Sequence, residues 1–434
     1  MTTSLASGSS AMNESKWELK KLDVLIRENK IELGRGNIIS RIDIDQRPGP
    51  YPIYSSSAHN NGKFGEYGDF MFEEELVTWS VDGGGNFFYR PKHKFSVTNV
   101  CGYLRVKDQS ISARFIFYVL CKQHEKLTFD YTSKAHPSVI KKLYNIPVLP
   151  LTVQQKIANI LQTIDEAVEK NEQLIEKYQQ IKAGLMHDLF TRGIGTDGKL
   201  RPPREQAPEL YWESPIGWIP KDWDLSTCDS VCERVIDCKN RTPPITPDGF
   251  PVIRTPNVRN GEFIDSDLVF TDASSYEIWT ARGKPKPGDI VITREAPVGE
   301  VCKIPERHMF ACLGQRMMLY RPDVEKIDID FFLYALQSSS IQERLDLISG
   351  GSTVGHVRVG DIRSLWMFVP QSLGEQQRIS KMLGSVIDRL SSERETLTKL
   401  KNQKSGLMHD LLTGKVPVSA DLPVKPASPE EGAA

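Results

Sequence analysis

The feature that most constrains this chain is an internal repeat. Residues 154–190 align without a gap to residues 376–412 at an offset of 222, and twelve of the 37 positions are identical. The longest identical run is Gly-Leu-Met-His-Asp-Leu, which occupies 184–189 and again 406–411. A repeat of this length predicts two copies of one structural plan.

Weaker sequence similarity between the two halves, which we call echoes, is found upstream of each copy. Trp17 corresponds to Trp223, and FIFYVL at 115–120 corresponds to FFLYAL at 331–336. The blocks that carry these echoes differ in length, whereas the segments after them do not. We therefore predict the order globular block, long helix, globular block, long helix.

The repeated segments have the spacing of a coiled coil. Apolar residues recur at alternating gaps of four and three, which predicts a narrow seam of the kind that two long helices share. The seam positions are Ile157, Leu161, Ile164, Val168, Asn171, Ile175 and Tyr178 in the first helix and Ile379, Leu383, Val386, Leu390, Glu393, Leu397 and Leu400 in the second. The polar members, Asn171 and Glu393, either fix the register from buried positions or mark exposed breaks. We expect antiparallel pairing, because it relates the repeats by a pseudo-two-fold axis.

Local signals mark where the two helices begin and end. Capping-box spacing precedes each pattern, in Thr152 with Gln155 and in Ser372 with Glu375. Gly193 and Gly414 follow the last turns, where a glycine can end a helix. Each helix would then be ~60 Å long, from ~40 residues at ~1.5 Å per residue.

These signals predict seven segments. They are a flexible N-terminal arm (1–16), a first block (17–150), a first long helix (151–192), a Pro-rich extended linker (193–222), a second block (223–370), a second long helix (371–415) and a disordered tail (416–434). Short β-like runs punctuated by Gly and Pro predict that each block is a small α/β (α+β) domain of undetermined sheet order. One helical stretch is expected in each block, at 112–123 and 330–347.

Composition narrows the class of protein. The chain is 39% hydrophobic and 26% charged with a net charge of −1, which suits a globular protein with real cores. No apolar run approaches the ~18 residues of a membrane span, and the polar start is unlike a signal peptide. Seven cysteines without a CxxC pair favour a reducing compartment. We expect a cytoplasmic protein.

The motifs of several enzyme classes are absent from the sequence. There is no GxxxxGK[ST] phosphate loop and no Asn/Asp-Pro-Pro-aromatic motif of the kind that amino-methyltransferases need. Some weaker patterns remain, and we interpret them as structural: a glycine run (Gly83, Gly84, Gly85), two possible zinc sets (Cys228, Cys232 and Cys238; Cys302, His308 and Cys312) and the repeated His-Asp pairs. We therefore predict no catalytic residue and no metal site in this chain.

The order of these segments resembles the specificity subunit of type I restriction–modification systems. The resemblance is carried by the two helices with QQKIANIL…GLMHDLF and QQRISKML…GLMHDLLTGKV, and by the IPxxW entry to the second block in SPIGWIPKDW. It covers nearly the whole chain apart from the first residues and the tail. The blocks, which vary in that family, support it only by their position.

The resemblance implies a non-catalytic subunit that binds double-stranded DNA. Each block would be a target-recognition domain that reads one half of a bipartite, asymmetric site. The helices would set the spacing and dock two modification (adenine-N6 methyltransferase) subunits, with restriction (translocase and nuclease) subunits joining further out. S-adenosylmethionine, ATP and Mg would belong to those partners, and this chain would bind no cofactor.

Two other classes of function remain open. The chain could be an interaction scaffold whose blocks bind protein ligands, or a methyltransferase or nuclease with unrecognised motifs. Charge supports DNA binding only in part. Residues 17–150 hold 19 basic and 15 acidic side chains, a net of +4, whereas residues 223–370 hold 17 and 21, a net of −4. Twelve of the second block's cations are nevertheless arginines, which suit bidentate guanine and phosphate contacts.

Candidate site residues follow from residue type and position. Short polar and basic side chains on loops or strand ends are the usual base readers. The DNA-binding candidates are Tyr54, Ser55, Ser56, His59, Asn60, Asn61 and Lys63 in the first block and Arg254, Thr255, Asn257, Arg259, Arg294 and Arg358 in the second. A glycine inside a long helix suggests the close approach of another backbone. The subunit-docking candidates are Gly184, Met186, His187 and Asp188 with Gly406, Met408, His409 and Asp410, and packing within this chain is the alternative reading of all eight.

Overall fold

A computed structural model describes residues 16–57, 60–82, 84–127, 134–350 and 355–418. The chain divides into two compact units: unit 1 comprises 1–172 and 395–434, and unit 2 comprises 173–394. Each unit therefore combines one block with part of both long helices. The helices divide at equivalent places, since positions 172 and 394 differ by the repeat offset of 222.

Unit 1 is built on a six-stranded sheet in the order β2-β7-β5-β6-β3-β4, in which only β3 and β6 run parallel. A separate ribbon, β1 with β8, joins the start of the block to its end. The strands are β1 (Leu19–Lys21), β2 (Ile31–Arg35), β3 (Tyr51–Tyr54), β4 (Lys63–Tyr67), β5 (Phe72–Ser80), β6 (Phe87–Val97), β7 (Cys101–Val106) and β8 (Asn145–Pro147). The short helices are α1 (Leu22–Arg27), α2 (Arg41–Gln46), α3 (Ala113–His124) and α4 (Pro137–Leu143).

Two long helices follow the blocks, α5 (Leu151–Thr191) and α10 (Leu373–Thr413). The core of unit 1 lies between its sheet, α3 and these helices: Trp79 and Phe115 pack with Ile157 of α5 and with Met408 and Leu411 of α10. The second repeat thus completes the core of the first block.

Unit 2 has a four-stranded sheet in the order β12-β20-β17-β18, a three-stranded sheet β16-β13-β19, and the ribbons β9-β10, β11-β21 and β14-β15. The strands are β9 (Tyr211–Ser214), β10 (Gly217–Pro220), β11 (Trp223–Thr227), β12 (Cys232–Asp237), β13 (Phe250–Ile253), β14 (Val258–Arg259), β15 (Glu262–Phe263), β16 (Val269–Thr271), β17 (Ile290–Thr293), β18 (Val301–Lys303), β19 (Cys312–Leu313), β20 (Met317–Pro322) and β21 (Trp366–Pro370). The helices are α6 (Ala273–Trp279), α7 (Ile329–Leu336), α8 (Ser339–Ile348) and α9 (Val359–Arg363).

The core of unit 2 mirrors that of unit 1. Leu189 and Phe190 at the end of α5 pack with Phe331 of α7 and with Ile379 and Leu383 of α10. The single helical stretch expected at 330–347 is instead two helices, because the chain breaks between α7 and α8 at Ser338, whose hydroxyl donates to the carbonyl of Ala335 at 2.6 Å.

The long helices pair antiparallel within each unit, as the sequence predicts. In unit 1, Asp165 contacts Lys404 at 2.6 Å and Glu172 contacts Lys401 at 2.8 Å. Residue numbers therefore increase along α5 in the direction in which they decrease along α10. The polar seam residue of each unit, Asn171 or Glu393, is buried, which decides between the two alternatives in favour of buried positions. None of the helices in the described ranges is long and apolar enough to cross a membrane.

Each helix ends where a glycine meets a tryptophan of the other repeat. Gly193 and Gly414 have left-handed φ values of +66° and +74°. A Cβ atom on Gly193 would lie 2.6 Å from the Trp223 ring, and one on Gly414 would lie 2.5 Å from the Trp17 ring. The weak echo between the two tryptophans therefore marks equivalent packing sites.

Equivalent glutamines fix each block to the start of the helix that follows it. The Gln154 Oε1 atom accepts from the backbone N–H of Ser112 at 2.9 Å, and the Gln376 Oε1 atom accepts from that of Asp328 at 2.7 Å. Ser112 and Asp328 cap α3 and α7. Both glutamines are buried, so they lock a helix of the block against the long helix.

The expected capping boxes and extended linker need correction. Thr152 lies inside the first turn of α5, where Pro150 accepts the first helical N–H groups. Glu375 turns away from Ser372 and binds Arg201 of the linker at 2.5 Å. The linker is folded rather than extended. It forms the β9-β10 hairpin, and the buried ion pair with Glu375 holds its Arg201 in place. Of the predicted tail only 416–418 are described.

Candidate nucleic-acid interface

Three arginines of the second block each have a buried hydrogen-bond donor without a partner in the described part of the chain. In Arg254, Arg259 and Arg294 this donor is one nitrogen of the guanidinium group. Leaving such a donor unpaired costs about 1–3 kcal/mol. A side chain that reoriented toward an external acceptor would recover that cost. All three were candidates from the sequence.

Arg254 begins a tightly organised loop before β14. Its backbone N–H donates to the side-chain oxygen of Asn257 at 3.0 Å, and its guanidinium donates to the Asp267 carbonyl at 2.6 Å. Asn257 is fully buried, and its amide also donates to the Ile264 carbonyl at 3.0 Å. Asn257 therefore holds the loop, and we no longer expect it to contact bases. Thr255 lies in the short 3₁₀ turn of the same loop.

A group of basic residues lies where β17 ends and β20 begins. Arg294 follows β17, and its guanidinium reaches the Val357 carbonyl at 3.3 Å. Glu295 pairs with Arg316 at 2.8 Å and with His356 at 2.7 Å. Arg358 is exposed and makes no ion pair within the described ranges. We call Arg294, Arg316, His356 and Arg358 the β17 cluster. It gives this net-acidic domain a locally basic edge.

Sequence reasoning found Arg294 and Arg358 but missed Arg316 and His356. Arg316 has a φ of +73°, which is rare outside glycine and asparagine and places it in a turn before β20. A basic residue directly before the apolar run Met317–Tyr320 was the available signal. His356 joins the cluster through an isolated bridge to Glu295, a pairing that sequence spacing does not indicate.

In the first block the candidates surround a buried arginine. Arg90 is 1% exposed, and its guanidinium lies 3.6 Å from the centre of the Tyr54 ring. It donates to the Thr78 hydroxyl at 3.0 Å and to the Asn61 carbonyl at 2.8 Å. Burial lowers the pKa of Arg90 to about 10, so it stays charged at neutral pH. This arginine fixes the base of the candidate loop.

The candidates of this loop divide into anchored and exposed residues. The Tyr54 hydroxyl contacts His93 at 3.2 Å, the Ser55 hydroxyl accepts from Thr98 at 2.9 Å, and the Ser56 carbonyl accepts from Ser80 at 2.9 Å. The exposed residues are Asn60 and Asn61, with φ values of +49° and +51°, and Lys63, which pairs with Glu66 at 2.6 Å. His59 lies outside the described residues. Asn60 and Asn61 are thus candidates of this loop that an external ligand can reach.

The role of Arg90 could not be predicted from the sequence, for a physical reason. It faces Leu76 across a register shift between β5 and β6, so the two-residue alternation that separates core from surface fails at this point. No carboxylate contacts the guanidinium in the described ranges, and an aromatic ring takes its place. Such cation–π pairs leave no charge pattern along the sequence.

The repeated helix segments are partly exposed and partly packed. A Cβ atom on Gly184 or Gly406 would meet nothing within 4 Å, and both glycines are exposed. Met408 is buried in the core of unit 1, and Met186 packs against the core of unit 2. The two methionines therefore serve internal packing, and we withdraw them as docking contacts. The glycines are open to a partner.

The His-Asp pairs next to these glycines make local contacts. Asp188 pairs with Arg192 at 3.1 Å and Asp410 with Lys415 at 3.4 Å. The His187 carbonyl accepts from Thr191, and that of His409 accepts from Thr413. These contacts are interactions at the ends of the two helices.

The cysteines are packed thiols. Burial raises the pKa of Cys228, Cys302 and Cys312 to about 12, so each is a neutral thiol near pH 7. Within the described ranges, no three metal-ligating side chains lie close enough together to hold an ion. His308 instead binds Asp265 at 2.5 Å.

Comparison with known proteins identifies the family. The family described as type I restriction modification DNA specificity domain matches residues 15–180 and again residues 220–402. The chain belongs to this family. Its two blocks are therefore tandem recognition domains.

Named relatives and a solved structure support this assignment. The chain is 25% identical to the type I restriction enzyme MjaVIII specificity subunit of Methanocaldococcus jannaschii, over 86% of this chain and 88% of that protein. It is 34% identical over 134 residues to the type I restriction enzyme MpnII specificity subunit of Mycoplasma pneumoniae, covering 30% of this chain and 40% of that protein. The fold resembles the crystal structure of a type I restriction–modification S subunit from M. genitalium, with a TM-score of 0.60 and 17% identity over 92% of this chain and 96% of that one.

Proposed function

We propose that this chain is the non-catalytic DNA-recognition subunit of a type I restriction–modification complex, in which each recognition domain reads one half of a bipartite, asymmetric target. The observation that carries the proposal is the duplicated construction of the two units. Two different recognition domains stand on equivalent stretches of the same helix pair. Independent readers on a common support suit a target whose halves differ in sequence.

The β17 cluster and the exposed asparagines of the first domain are the proposed readers. Arginine can contact guanine through two hydrogen bonds, and asparagine can contact adenine in the same way. Arg254 and Arg259 would join them after reorientation. The acidic balance of the second domain does not exclude DNA binding, because the β17 cluster makes one edge of the domain locally basic.

The long helices would set the spacing between the half-sites and dock two methyltransferase subunits. Gly184 and Gly406 are exposed at equivalent positions, so they offer the same contact to two identical partners. Restriction subunits would join through those partners. S-adenosylmethionine, ATP and Mg would be bound by the partner subunits.

Exchange of the second recognition domain tests the division of labour. Residues 223–370 would be replaced by the corresponding domain of a relative, and methylated sites would be mapped by sequencing DNA from cells that carry the complex. We expect the second half-site to change while the first half-site and the spacer stay the same. An unchanged second half-site would contradict the proposal.

Lengthening both helices tests their role as a spacer. Seven residues inserted after Glu172 and after Arg394 add two turns at equivalent positions, or ~10 Å at ~1.5 Å per residue. At ~3.4 Å per base pair this corresponds to a spacer ~3 base pairs longer. We expect the half-sites to persist at the longer spacing. Changed half-sites with the old spacer would rule out the helices as the spacing element.

A further inference from the structure

A second basic surface of unit 2 surrounds the Trp279 ring at the end of α6. The Lys239 Nζ atom lies 4.9 Å from the centre of this ring, and the guanidinium carbon of Arg241 lies 5.4 Å from it. The Trp279 indole N–H donates to the Arg241 carbonyl at 2.8 Å, which fixes the loop after β12 to α6. Two cations are therefore held beside one aromatic ring. We call Lys239, Arg241, Trp279 and Arg282 the Trp279 surface.

This surface carries a net positive charge. Arg282 donates to the Cys238 carbonyl at 3.0 Å and pairs with Asp237 at 2.7 Å. The other two cations of the surface make no ion pair within the described ranges. The acidic residue of the adjoining helix is already neutralised, because Glu277 pairs with Lys284 at 2.7 Å. Three cations against one carboxylate leave a charge of +2 on a domain whose net charge is −4.

The Trp279 surface begins at the same end of the four-stranded sheet as the β17 cluster. On one side of β20, Met317 is opposite Thr293, the last residue of β17. On the other side, the Met317 carbonyl accepts from the backbone N–H of Cys238, the residue after β12, at 3.3 Å. Lys239 therefore leaves the sheet at the end where Arg294 leaves it.

The spacing of the strands suits a DNA groove and its backbone. Neighbouring strands lie about 4.8 Å apart, so β12 and β17, which flank β20, are about 10 Å apart. The major groove is about 12 Å wide. A duplex whose groove receives the β17 cluster therefore brings one of its backbones to the side of the sheet where the Trp279 surface lies. Contacts to phosphates position a protein on the duplex without reading its sequence.

We propose that the Trp279 surface binds the phosphate backbone of the DNA half-site that the β17 cluster reads. Lys239 and Arg241 each pair with a phosphate, while the Trp279 ring restricts where their side chains lie. This inference rests on the proposed function, because it takes the bound polyanion to be double-stranded DNA. It also accounts for the affinity of a net-acidic domain for DNA, since the cations that lack a carboxylate partner are gathered beside the reading edge.

The salt dependence of duplex binding tests the proposal. The full-length chain is purified through a tag with the subunits that it retains. Its binding to a labelled duplex that lacks the target sequence is measured by fluorescence anisotropy between about 50 and 200 mM KCl. We expect Lys239→Gln with Arg241→Gln to lower the slope of log K against log salt by about 2, because each phosphate contact contributes about 0.9. Binding at about 0.1 M salt should weaken about tenfold or more.

The opposite end of the same sheet provides a matched control. Lys303 is opposite Ile290, the first residue of β17, and pairs with Asp330 at 2.6 Å. Lys326 follows β20 and pairs with Asp323 at 3.1 Å. Lys303→Gln with Lys326→Gln removes the same number of charges and should leave the slope unchanged. An equal loss of slope in both double variants would overturn the proposal, because the overall charge of the domain would then explain it.

Two further variants separate the effect of charge from an effect on folding. Lys239→Arg with Arg241→Lys keeps both charges and should keep the slope, and its loss in a folded protein would contradict a contact made through charge. Thermal unfolding identifies any variant that has lost its fold. If the glutamine pair unfolds early, Arg241→Gln alone, at an exposed position, should lower the slope by about 1. An unchanged slope in that folded variant would refute the contact.

Failure of this inference is distinguishable from failure of the proposed function. Methylated sites mapped in cells that carry the glutamine pair should keep both half-sites, because phosphate contacts affect all sequences alike. A changed second half-site would mean that these residues read bases and would overturn the assignment. If the unsubstituted chain binds no duplex, the proposed function fails and this inference fails with it. If the chain binds duplex with a slope that the glutamine pair leaves unchanged, only this inference fails.

Discussion

Replacing Glu375 by glutamine should destabilise unit 2 more than any exposed change on the same helix. The Glu375 side chain is 4% exposed and the Arg201 side chain 9%, and the two are joined at 2.5 Å and 2.9 Å. The carboxylate also accepts from the Trp223 indole at 3.1 Å and from the Ile194 backbone N–H at 2.9 Å. One carboxylate therefore ties the linker, the entry strand of the second domain and α10 together.

The magnitude follows from what Glu375→Gln leaves behind. Removing one partner of a buried ion pair costs about 3–5 kcal/mol, because the other charge stays buried. Arg201 keeps a second carboxylate, Asp222 at 2.5 Å, but Asp222 is 54% exposed and only partly compensates. We therefore expect a loss near the lower end, about 3 kcal/mol. Glutamine still accepts from Trp223, so the loss reflects charge rather than volume.

Urea unfolding followed by tryptophan fluorescence measures this loss. Glu395→Gln is the control, because Glu395 is exposed on the same helix and its neutralisation should change stability by no more than about 0.5 kcal/mol. The double variant Arg201→Met with Glu375→Met removes both buried charges and should be more stable than Glu375→Gln. If Glu375→Gln unfolds at the same urea concentration as Glu395→Gln, the network does not stabilise unit 2.

Three further predictions address the DNA interface, the partner contact and pH. Arg294→Ala should cost about 1–3 kcal/mol in target binding and relax specificity at one base pair, which competition with single-base variants of the target would reveal. Gly184→Leu with Gly406→Leu should abolish copurification of the methyltransferase subunit while thermal unfolding stays unchanged, since both sites are open in this chain; normal copurification would refute docking there. Burial lowers the pKa of His124, which contacts the Gly84 carbonyl at 2.8 Å. The folded state thus prefers neutral His124, so the contribution of His124 to stability is complete above pH ~6.5 and is lost as pH falls through the lower folded pKa. His124→Gln should therefore make the free energy of unfolding depend less steeply on pH below pH ~6.5.

Local periodicity explains why the helical framework could be predicted from the sequence. The alternating spacing of Ile157, Leu161 and the seam residues after them defines one apolar stripe on each long helix. Because both stripes belong to one chain, the simplest way to bury them is to pair the two helices. The same argument put Asn171 at a seam position but left open whether it is buried, which the structure decides. Helix ends were predictable at Gly193 and Gly414, because the left-handed conformation there favours glycine.

Long-range pairings explain what could not be predicted. Glu375 had capping-box spacing, yet it binds Arg201, which lies 174 positions away in sequence. Asn257 had the composition of a base reader, but its amide satisfies the loop that surrounds it. In both cases a local rule was overridden by a buried partner from elsewhere. Polar residues at a site are therefore less predictable than apolar residues in a seam.

Each recognition domain packs against the end of a long helix from the other repeat, which limits how the domain can be replaced. The core of unit 1 includes Met408 and Leu411 from the second repeat, and that of unit 2 includes Leu189 and Phe190 from the first. Neither block together with the helix that follows it therefore contains all the residues of its own core. A transplanted domain must present a surface that accepts these side chains as well as a new DNA-reading edge. The repeated Gly-Leu-Met-His-Asp-Leu segment accordingly combines two requirements: its methionine and final leucine face inward to a recognition domain, while its glycine remains open on the outside.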